Sequence, residues 1–507
     1  MNGESKHLAR AAQAAFERRG DYESLLFEGR WHRSGELFAR ACAVATGLTQ
    51  LGIEPGERIA VTMANCPEVG IVYQAIWRAG LVATPATFLL TPEDLRHVLA
   101  DSGARAVVTT SEFLDKIEQA VSELDPRPCV ICTDRSADGV ISLAELEAAP
   151  PGEIVPRADN DLAALLYTGG TTGQAKGVML AHEALHYVGG AAHQSSHIDG
   201  INRSLGTLPL SHAYGLLITV SGFHSVQPDV AVLLRWFEPE TFLSAVQEHR
   251  LQQTAVVPSM LQALLAKPLE RYDLSTLEQV TSGASPLPPE TEREFVRRVP
   301  SASIRQGYGL TESAALVSSS PVGRVRAGSV GLPVPGCEVE IRDEHGRALP
   351  AGEVGEICMR SPGLMTGYWH SPETTAQAIR DGWLHTGDVG RRDADGYLYI
   401  VDRIKDLIIR GGFNVYPRDI EDALVEHPDV AMAGVVGAPS ASHGEEVVAF
   451  VSLRAGAALE PEQLIDWSRT RIGGYKYPRR VHVVDAIPLT PVGKIDRKAL
   501  RARLTPS

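Results

Sequence analysis

The chain has 507 residues, of which 44% are hydrophobic and 22% charged, and this composition excludes collagen-like, fibrous and intrinsically disordered proteins. Its 62 acidic and 48 basic residues give a net charge of −14, which argues against a general nucleic-acid-binding protein. There is no run of 18 apolar residues, no N-terminal pattern of a secretory signal, and there are only six cysteines, so we expect a cytoplasmic protein without a membrane span or a disulfide scaffold.

The first 150 residues alternate short apolar runs with helical patterns. RIAVTM (58–63), LVATPA (81–86) and RAVVTT (105–110) predict buried strands, and PEVGIVYQAIWRAG predicts a helix between the first two. Thr91 before a proline predicts the start of a second helix, and Gly103 predicts its end. The fold class is therefore predicted to be α/β, with layered sheets and helices.

Two cysteines form a single CxxC pattern in the apolar run PCVICT. We interpret Cys129 and Cys132 as buried strand residues, because no second pair follows that would complete a zinc site. The polar stretch 133–160 is predicted to be a connection between subdomains.

A glycine- and threonine-rich segment follows the apolar run LAALLY at 162–167. It comprises Thr168, Gly169, Gly170, Thr171, Thr172, Gly173 and Lys176. Glycine amides, hydroxyls and an ammonium group suit the oxygens of a polyphosphate, so we predict a phosphate-binding loop between a strand and a helix. It is not a Walker A loop, because Ala175 stands where that motif has glycine. A flexible surface turn is the alternative interpretation.

The next residues contain the zinc-hydrolase spacing HExxH. His182, Glu183 and His186 match it. The longer form of the motif has a third histidine at position 192, which is alanine here, and Gly189 with Gly190 weakens a ligand-bearing helix. A zinc hydrolase therefore remains a rival hypothesis, and a chance match is favoured.

Three later segments carry further candidate residues. QGYGLTE supplies Gln306, Gly307, Tyr308, Gly309, Thr311 and Glu312, a turn in which the aromatic ring suits a stacked base or flat acyl group and the carboxylate suits Mg²⁺. HTGDVG places Asp388 in a glycine-flanked turn suited to ribose hydroxyls, and PVGK places Lys494 on a loop. Taken singly, QGYGLTE is equally well explained as a tight turn with a surface acid, and solvated surface is the favoured explanation of the other two segments.

Elements become shorter from about residue 404, where helices and strands of a small α+β domain are predicted. We therefore divide the chain into a large N-terminal domain, residues 1–402, and a C-terminal domain, residues 403–507.

In order along the chain, these segments resemble the adenylate-forming superfamily of acyl-CoA synthetases, adenylation domains and luciferases. YTGGTTGQAKG is similar to its phosphate loop, QGYGLTE to its adenine and magnesium motif, and HTGD to its ribose-binding motif. DRIKDLIIRGGFNVYPRDIE is similar to the hinge and thiol-side loop of the family, and PVGK to the segment with its mobile lysine. The resemblance runs from about residue 20 to 502.

This resemblance implies an enzyme with ATP, Mg²⁺ and coenzyme A as cofactor and co-substrates. A carboxylate attacks the α-phosphate of ATP to give acyl-AMP and pyrophosphate, and the thiol of coenzyme A then displaces AMP while the C-terminal domain acts as a rotating lid. A carboxylate is already ionised at neutral pH, so the chemistry needs positioning and charge neutralisation rather than a catalytic triad.

The resemblance also implies a role for each matching residue. Thr168–Gly173 and Lys176 would bind the β- and γ-phosphates, Thr311 the α-phosphate, and Glu312 Mg²⁺. Asp388 and Arg403 would bind ribose, and Gln306–Gly309 with Gly283 and Ala284 would flank the adenine and the acyl pocket. Lys494 would bridge the acid and the nucleotide during adenylation, Lys405 would be the hinge, Gly411 and Gly412 would lie on the thiol-side loop, and His212 would separate the carboxylate site from the thiol tunnel. A core histidine is the alternative for His212.

The acid is the least determined part of the prediction. Gly169 and Ala175 give the loop variant found in fatty acyl-CoA ligases, which favours a fatty or other apolar acid, and the small residues Gly189–Ala192 indicate room for a bulky group. Basic C-terminal segments suit the phosphates of coenzyme A. An amide-forming ligase that uses an amine acceptor is the alternative, and a catalytically silent nucleotide-binding protein is a third. We expect small-molecule partners, no nucleic acid, and a monomer or homodimer.

Overall fold

The computed structural model describes residues 5–168, 175–440, 442–490 and 494–504, which combine α-helices with mixed β-sheets. The strands are β1 (Glu23–Phe27), β2 (Arg30–Arg33), β3 (Arg58–Thr62), β4 (Val82–Pro85), β5 (Ala106–Thr109), β6 (Cys129–Cys132), β7 (Val140–Ser142), β8 (Leu162–Thr168), β9 (Lys176–Ala181), β10 (Arg203–Gly206), β11 (Val230–Leu233), β12 (Gln253–Val256), β13 (Gln279–Ser282), β14 (Ser303–Tyr308), β15 (Ser318–Ser319), β16 (Leu332–Pro333), β17 (Glu338–Arg342), β18 (Val354–Arg360), β19 (Gly367–Tyr368), β20 (Ile379–Arg380), β21 (Trp383–Arg392), β22 (Leu398–Arg403), β23 (Ile408–Arg410), β24 (Phe413–Val415), β25 (Val430–Ser440), β26 (Gly444–Leu453) and β27 (Arg480–Val483).

The α-helices cover the faces of these strands. They are α1 (Leu8–Arg19), α2 (Ser34–Gln50), α3 (Pro67–Arg78), α4 (Pro92–Ser102), α5 (Leu114–Val121), α6 (Leu143–Glu147), α7 (His182–Ser196), α8 (Ala213–Ser221), α9 (Pro239–His249), α10 (Pro258–Leu265), α11 (Pro289–Arg298), α12 (Pro372–Ala378), α13 (Pro417–Val425), α14 (Pro461–Arg469) and α15 (Arg497–Ala502).

Two large sheets form the N-terminal part of the described chain. Sheet A has the order β16-β15-β14-β13-β12-β10-β11-β1-β2, and sheet B has the order β19-β9-β8-β4-β3-β5-β6-β7. The inner strands are parallel in both sheets, and antiparallel strands stand at both edges of sheet A and at the β19 edge of sheet B, whereas β7 at the other edge of sheet B is parallel. The α/β class predicted from alternating apolar runs and helical patterns is confirmed.

Local sequence signals explain where several elements begin and end. Helix α4 begins after Thr91, whose hydroxyl accepts a hydrogen bond from the backbone N–H of Asp94, and it ends before Gly103 in the left-handed conformation. Both boundaries are as predicted. The predicted strands at 58–63, 81–86 and 105–110 correspond to β3, β4 and β5.

The main core joins the two large sheets through α3. Trp77 on this helix has no exposed surface and packs with Phe27 of sheet A and Ala83 of sheet B in one apolar cluster. The Trp77 indole N–H donates to the carbonyl of Ala163 at 3.0 Å, so its polar atom is satisfied inside the core. The two sheets are therefore held as one layered unit.

Sheets C and D follow in the chain. Sheet C has the order β17-β18-β21-β20, with β22 on β21, and sheet D has the order β24-β23-β26-β25, with β27 on β26. Sheet D packs with α13 and α14 on a separate core that includes Ile420, Val435 and Leu464. A 3₁₀ turn, Ile404–Asp406, connects β22 of sheet C to β23 of sheet D. The chain thus has a large N-terminal and a small C-terminal part, and the boundary at 402/403 stays a prediction.

Two expectations for the first part of the chain need correction. The stretch 133–160 contains β7 and α6, and Ser142 with Glu145 forms a capping box at the start of that helix. The CVIC segment is a strand, but Cys129 is exposed and only Cys132 is buried, because β6 is near the end of sheet B.

Among the described residues, no helix combines the length and the hydropathy needed to cross a membrane.

Candidate active site

A cavity of about 1460 Å³ is bordered by sheets A, B and C and by the segment around the start of α15. Many of the predicted site residues line it although they are far apart in the chain: Thr168, Lys176, His212, Gly283, Ala284, Gly307, Gly309, Thr311, Glu312, Arg403, Lys405 and Lys494. Five others do not line it directly: Gln306, Tyr308, Asp388, Gly411 and Gly412. Gly169, Gly170, Thr171, Thr172 and Gly173 lie outside the described residues.

The predicted phosphate loop joins two antiparallel strands. Thr168 at the end of β8 pairs with Lys176 at the start of β9, so the expectation of a helix directly after the loop is wrong. The residues KGVMLA form a strand because β9 pairs with β8 on one side and with β19 on the other, and α7 begins only at His182. The ammonium nitrogen of Lys176 lies 5.7 Å from the centre of the Tyr368 ring.

The segment 306–312 forms the end of β14 and a tight turn. Side chains alternate along the strand, so Gly307 lines the cavity while the Gln306 amide donates to Glu292 on the other face, at 3.1 Å. Gly309 is required by close packing, since a Cβ there would lie 2.3 Å from the carbonyl oxygen of Ala315. The turn brings Thr311 and the residue after it to the cavity wall.

Glu312 presents a carboxylate at this wall. One of its oxygens, Oε1, accepts a hydrogen bond from the Tyr368 hydroxyl at 2.8 Å, and the backbone carbonyl of Glu312 accepts from the N–H of Met365. These contacts fix the residue and leave Oε2 without a hydrogen bond from the described residues. A hard oxygen donor of this kind fits Mg²⁺, which usually keeps waters and takes one or two carboxylates.

Asp388 lies within the ten-residue strand β21 and not in a turn, which corrects the prediction. The strand continues through HTGD because β18 and β22 pair with it on either side, and Gly387 adopts a left-handed φ of 70°. The carboxylate is 3% exposed. Arg403 donates to Oδ1 and the Tyr308 hydroxyl donates to Oδ2, both at 2.7 Å, so the anion is fully oriented and charge-balanced.

Lys494 reaches this group from the C-terminal part of the chain. Desolvation by the cavity walls and the charge of Arg403 lower the pKa of Lys494, although the residue keeps exposed surface. Asp388 and Glu312 act in the opposite direction through their negative charges. Lys494 and Glu312 therefore line one cavity, and Asp388 contacts its wall through Arg403.

His212 stands next to this lysine at the N-terminus of α8. Its Nδ1 accepts a hydrogen bond from the backbone N–H of Tyr214 at 3.3 Å. Burial and the charge of Lys494 lower the pKa of His212 to about 4, so the imidazole is neutral at pH 7. His212 is thus a cavity residue rather than a plain core histidine.

Lys405 occupies the turn that connects sheets C and D. Desolvation and the charge of Arg403 lower its pKa, and it lines the cavity. On one side of the turn, Asp402 accepts a hydrogen bond from the backbone N–H of Arg418 at 2.9 Å. Gly411 and Gly412 form the β23–β24 turn with φ values of 58° and 83°, away from the cavity wall.

The HExxH residues are engaged elsewhere. His182 is fully buried, stacks on His7 with ring centres 4.1 Å apart, and accepts the backbone N–H of Leu8 through Nδ1. Burial, followed by the charge of His7, lowers its pKa to about 3. Glu183 forms an ion pair with Lys6 at 3.4 Å, while the ring of His186 contacts that of His224. The three side chains do not converge on a common ligand position.

The glycines of α7 serve helix packing and not the substrate pocket. A Cβ on Gly189 would lie 2.8 Å from the Val220 carbonyl oxygen, and one on Gly190 would lie 3.2 Å from the His224 ring. Of the stretch Gly189–Ala192, Ala192 lines the cavity. The expectation that these small residues open room for a bulky group is therefore wrong for both glycines. Gly189 lets α7 approach α8 closely, and Gly190 makes room for the ring of His224 after that helix.

Several contributors were missed in the sequence because isolated residues carry no motif. Tyr368 holds Glu312, and the ring of Tyr214 lies against Gly283, where a Cβ would be 3.3 Å away. A further group is Glu356, Cys358 and His385, whose potential ligand atoms lie within 4.8 Å of one another. Glu356 also accepts the backbone N–H of Gly387 at 3.0 Å, so it supports the strand that carries the predicted ribose ligand.

Comparison with protein families gives two matches. Residues 12–369 match the family described as AMP-binding enzyme, and residues 419–494 match the AMP-binding enzyme C-terminal domain.

Individual relatives and solved structures are similar to this chain over nearly its full length. A feruloyl-CoA synthase of an Amycolatopsis species is 35% identical over 475 residues, covering 92% of this chain and 93% of the relative. The structure of the amide bond synthetase McbA from Marinactinospora thermotolerans has a TM-score of 0.88 and 32% identity, with 98% of this chain and 100% of that chain covered. The structure of ATP-bound MatB from Rhodopseudomonas palustris has a TM-score of 0.89 and 30% identity, with 98% of each chain covered.

Proposed function

Because the chain belongs to the AMP-binding enzyme family of the adenylate-forming superfamily, we propose that it is an AMP-forming acid–thiol ligase that converts a carboxylic acid with a large apolar body to its coenzyme A thioester. The observation that carries the proposal is that Lys494, Glu312 and Arg403 line one cavity and that Arg403 holds Asp388.

The first half-reaction joins the acid to AMP. A carboxylate oxygen of the acid forms a bond to the α-phosphorus of ATP, and the bond from that phosphorus to the bridging oxygen of pyrophosphate breaks. The products are acyl-AMP and pyrophosphate. Positive charge and hydrogen-bond donors lower the barrier because negative charge develops on the phosphate oxygens.

Each residue role in this step is part of the proposal. Thr168, Lys176 and the segment between them bind the β- and γ-phosphates, and Thr311 donates to the α-phosphate. The Asp388 carboxylate accepts the ribose hydroxyls while Arg403 and Tyr308 hold it in place. Lys494 donates to the acid carboxylate and to the α-phosphate region.

Glu312 is the residue we propose as the protein ligand of Mg²⁺, and the ion would neutralise charge on the phosphates. Its orientation by Tyr368 supports this role, because a preoriented carboxylate loses little freedom on binding.

The second half-reaction passes the acyl group to coenzyme A. The thiolate forms a bond to the acyl carbon, and the bond from that carbon to the AMP oxygen breaks. Removal of Lys494 from the cavity would open a path for the thiol, and the turn containing Lys405 is the proposed hinge. Basic residues near the C-terminus support binding of the coenzyme A phosphates.

Pyrophosphate release tests the assignment directly. We expect release that depends on both an acid and MgATP, and release of AMP only after coenzyme A is added. Absence of acid-dependent exchange of labelled pyrophosphate into ATP across a broad acid panel would contradict it.

An amide-forming ligase is the second candidate, because McbA shares the fold over almost the full length of this chain. It would use the same acyl-AMP and an amine in place of the thiol. AMP release that requires an amine and is unaffected by coenzyme A would favour it. The monomer or homodimer state and the cytoplasmic location remain predictions.

A further inference from the structure

A buried arginine in the cavity has no acidic partner among the described residues. Arg305 on β14 is 2% exposed. Its Nε and Nη2 atoms donate to the carbonyl oxygen of Ser320, and Nη2 also reaches the Ser195 carbonyl oxygen and the Ser319 hydroxyl. All of these acceptors are neutral. Buried guanidinium groups are ordinarily paired with carboxylates.

Two half-buried arginines near the cavity, by contrast, pair with carboxylates. Arg403 pairs with Asp388 at 2.7 Å, and Arg497 contacts both carboxylate oxygens of Glu421 at 2.8 Å. For Arg305, burial lowers the pKa, and Tyr214 is the neighbour whose charge would act on it. The carbonyl of Ser195 lies at the C-terminal end of α7, where the helix dipole favours a cation. That compensation is partial, since a helix end carries about half an elementary charge.

The register of sheet A places Arg305 on the cavity floor. Thr281 pairs with Arg305 across β13 and β14, and Ala255 pairs with Thr281 across β12 and β13. All three residues line the cavity, as does Gly307, two residues further along β14. Side chains two apart on a strand share a face, so the guanidinium belongs to the face that an occupant of the cavity meets.

One amino group of the guanidinium remains available on this face. The hydrogen bonds of Arg305 to the described residues use Nε and Nη2, and Nη1 has none. Water that enters the open cavity can accept from these two N–H donors. An acid that displaces this water has to supply an acceptor, because a buried charged donor without a partner is costly.

We propose that Arg305 is a specificity-determining residue that binds an oxygen acceptor on the body of the acid, remote from the carboxylate that reacts. The inference rests on the proposed function and adds the substrate class: an acid with an apolar body that carries a ring oxygen, a carbonyl or a second carboxylate. A saturated alkyl chain offers no acceptor and is a poor substrate.

The direction of the pocket supports this arrangement. Lys494 and His212 mark the reacting end, and Tyr214 with Gly283 forms a wall next to it. Tyr214 is also the neighbour whose charge would act on Arg305. The guanidinium of Arg305 and the ring of Tyr214 thus line the same cavity as the reacting end.

A matched acid panel tests the inference by pyrophosphate release. The panel holds 3-phenylpropenoic acid and its derivatives with a ring hydroxyl, methoxy or carboxylate group, together with a saturated fatty acid of similar length. We expect kcat/KM of the wild-type enzyme to be at least about 10-fold higher for one oxygen-bearing acid than for the unsubstituted one, which corresponds to one charged hydrogen bond. The derivative with the raised kcat/KM identifies the oxygen group that accepts a hydrogen bond from Arg305.

Arg305→Met is the informative variant. In this variant, kcat/KM for the oxygen-bearing acid should exceed that for the unsubstituted acid by less than about threefold. The loss should be confined to the oxygen-bearing acids and should appear mostly in KM. Arg305→Lys retains a cation without the planar fork and should keep part of the preference. Equal loss with all acids, or an unchanged preference in folded Arg305→Met, would show that Arg305 only holds α7 and the Ser320 segment together.

Arg203→Met is the matched control. Arg203 lies on β10 of the same sheet and donates to the carbonyl of His249 at the C-terminal end of α9, at 3.0 Å. This variant loses a similar helix-end contact outside the cavity, so its acid preference should equal that of the wild type. If Arg305→Met does not fold, the wild-type panel decides, because a wild-type preference for the fatty acid overturns the inference. Absence of pyrophosphate release with every acid would instead overturn the proposed function.

Discussion

At the scale of single residues, charge near the reacting end is set by Lys494, His212 and the Asp388–Arg403 pair. The imidazole of His212 is neutral at pH 7 because burial and the adjacent lysine lower its pKa to about 4. A neutral ring adds no positive charge beside Lys494, whose ammonium group we propose to be the mobile cation of the cavity. We therefore expect substitution of Lys494 to affect the two half-reactions differently.

Lys494→Ala is expected to lower the rate of acyl-AMP formation by about 10²- to 10³-fold, because a donor to the developing negative charge is lost. Thioester formation from supplied acyl-AMP should change little. Rapid-quench assays of pyrophosphate and of thioester measure the two steps separately. Lys267→Ala, which removes a surface ion pair with Glu240, is the control. Equal loss of both steps would refute the alternating role of the lysine.

Tyr308→Phe tests how Asp388 is held. Loss of the 2.7 Å hydrogen bond to Oδ2 frees the carboxylate to rotate about its remaining contact with Arg403, so KM for ATP should rise about 10-fold with a smaller change in kcat. Steady-state kinetics with varied ATP measure both constants. Tyr399→Phe removes a hydroxyl that contacts Asp393 outside the site and should leave KM for ATP unchanged. A similar rise of KM for ATP in Tyr399→Phe would contradict the role of Tyr308.

At the scale of elements, α7 and α8 are brought together by a glycine rather than by complementary large side chains. Gly189→Ala places a Cβ 2.8 Å from the Val220 carbonyl oxygen, so the helices must separate, and we expect a loss of about 1–3 kcal/mol in the free energy of unfolding. Urea denaturation measures the loss.

Gly70→Ala in α3 is the matched helical control. A Cβ at Gly70 has no atom within 4 Å, and alanine is the better helix former by about 0.5–1 kcal/mol, so this variant should be slightly more stable than the wild type. Equal effects of the two substitutions would show that helix propensity, and not contact between α7 and α8, decides the stability.

Elements with strong local patterns were predictable, and those defined by distant partners were not. The cap residue Thr91 and Gly103 fixed α4 from the sequence alone. Strand β9 was missed because its pairing with β19 brings Met179 against Gly367, a residue far along the chain. The extended conformation of Asp388 was missed for the same reason, since β18 and β22 impose it.

The residues of the candidate site also divide into those that a local sequence pattern predicts and those that only distant partners define. Motif residues such as Thr311, Glu312 and Lys494 were identified because each belongs to a segment with a recognisable composition, and they line one cavity. Arg305 and Tyr368 were missed because their importance comes from what lies opposite them, which no local pattern contains.

At the scale of the whole molecule, acid stability should follow the buried histidine pair. His7 and His182 are 1% and 0% exposed, and burial lowers their pKa values to about 4 and about 3 from 6.5. Between these lowered pKa values and 6.5, the unfolded chain binds more protons than the folded one. The contribution of the two neutral histidines to the free energy of unfolding is therefore fully present above about pH 6.5 and declines as the pH falls.

The expected cost at pH 5 relative to pH 7 is about 2 kcal/mol for each of these histidines. Urea midpoints at several pH values measure it. The double variant His7→Asn, His182→Asn should show a weaker dependence on pH, although it starts from lower stability. His345→Asn, at an exposed position, should keep the wild-type slope. An unchanged slope in the double variant would contradict the assignment to this pair.

Lys494 follows every other predicted site residue in the chain, and this order has a consequence for synthesis. The walls of the cavity, up to Lys405, leave the ribosome about 90 residues earlier, which is roughly 5 to 20 seconds at ordinary elongation rates. During that interval a nascent chain can fold the cavity walls while it lacks the ammonium group that we propose to be needed to attach an acid to AMP. If Lys494 has the proposed role, the order of translation delays ATP cleavage until this last group has emerged.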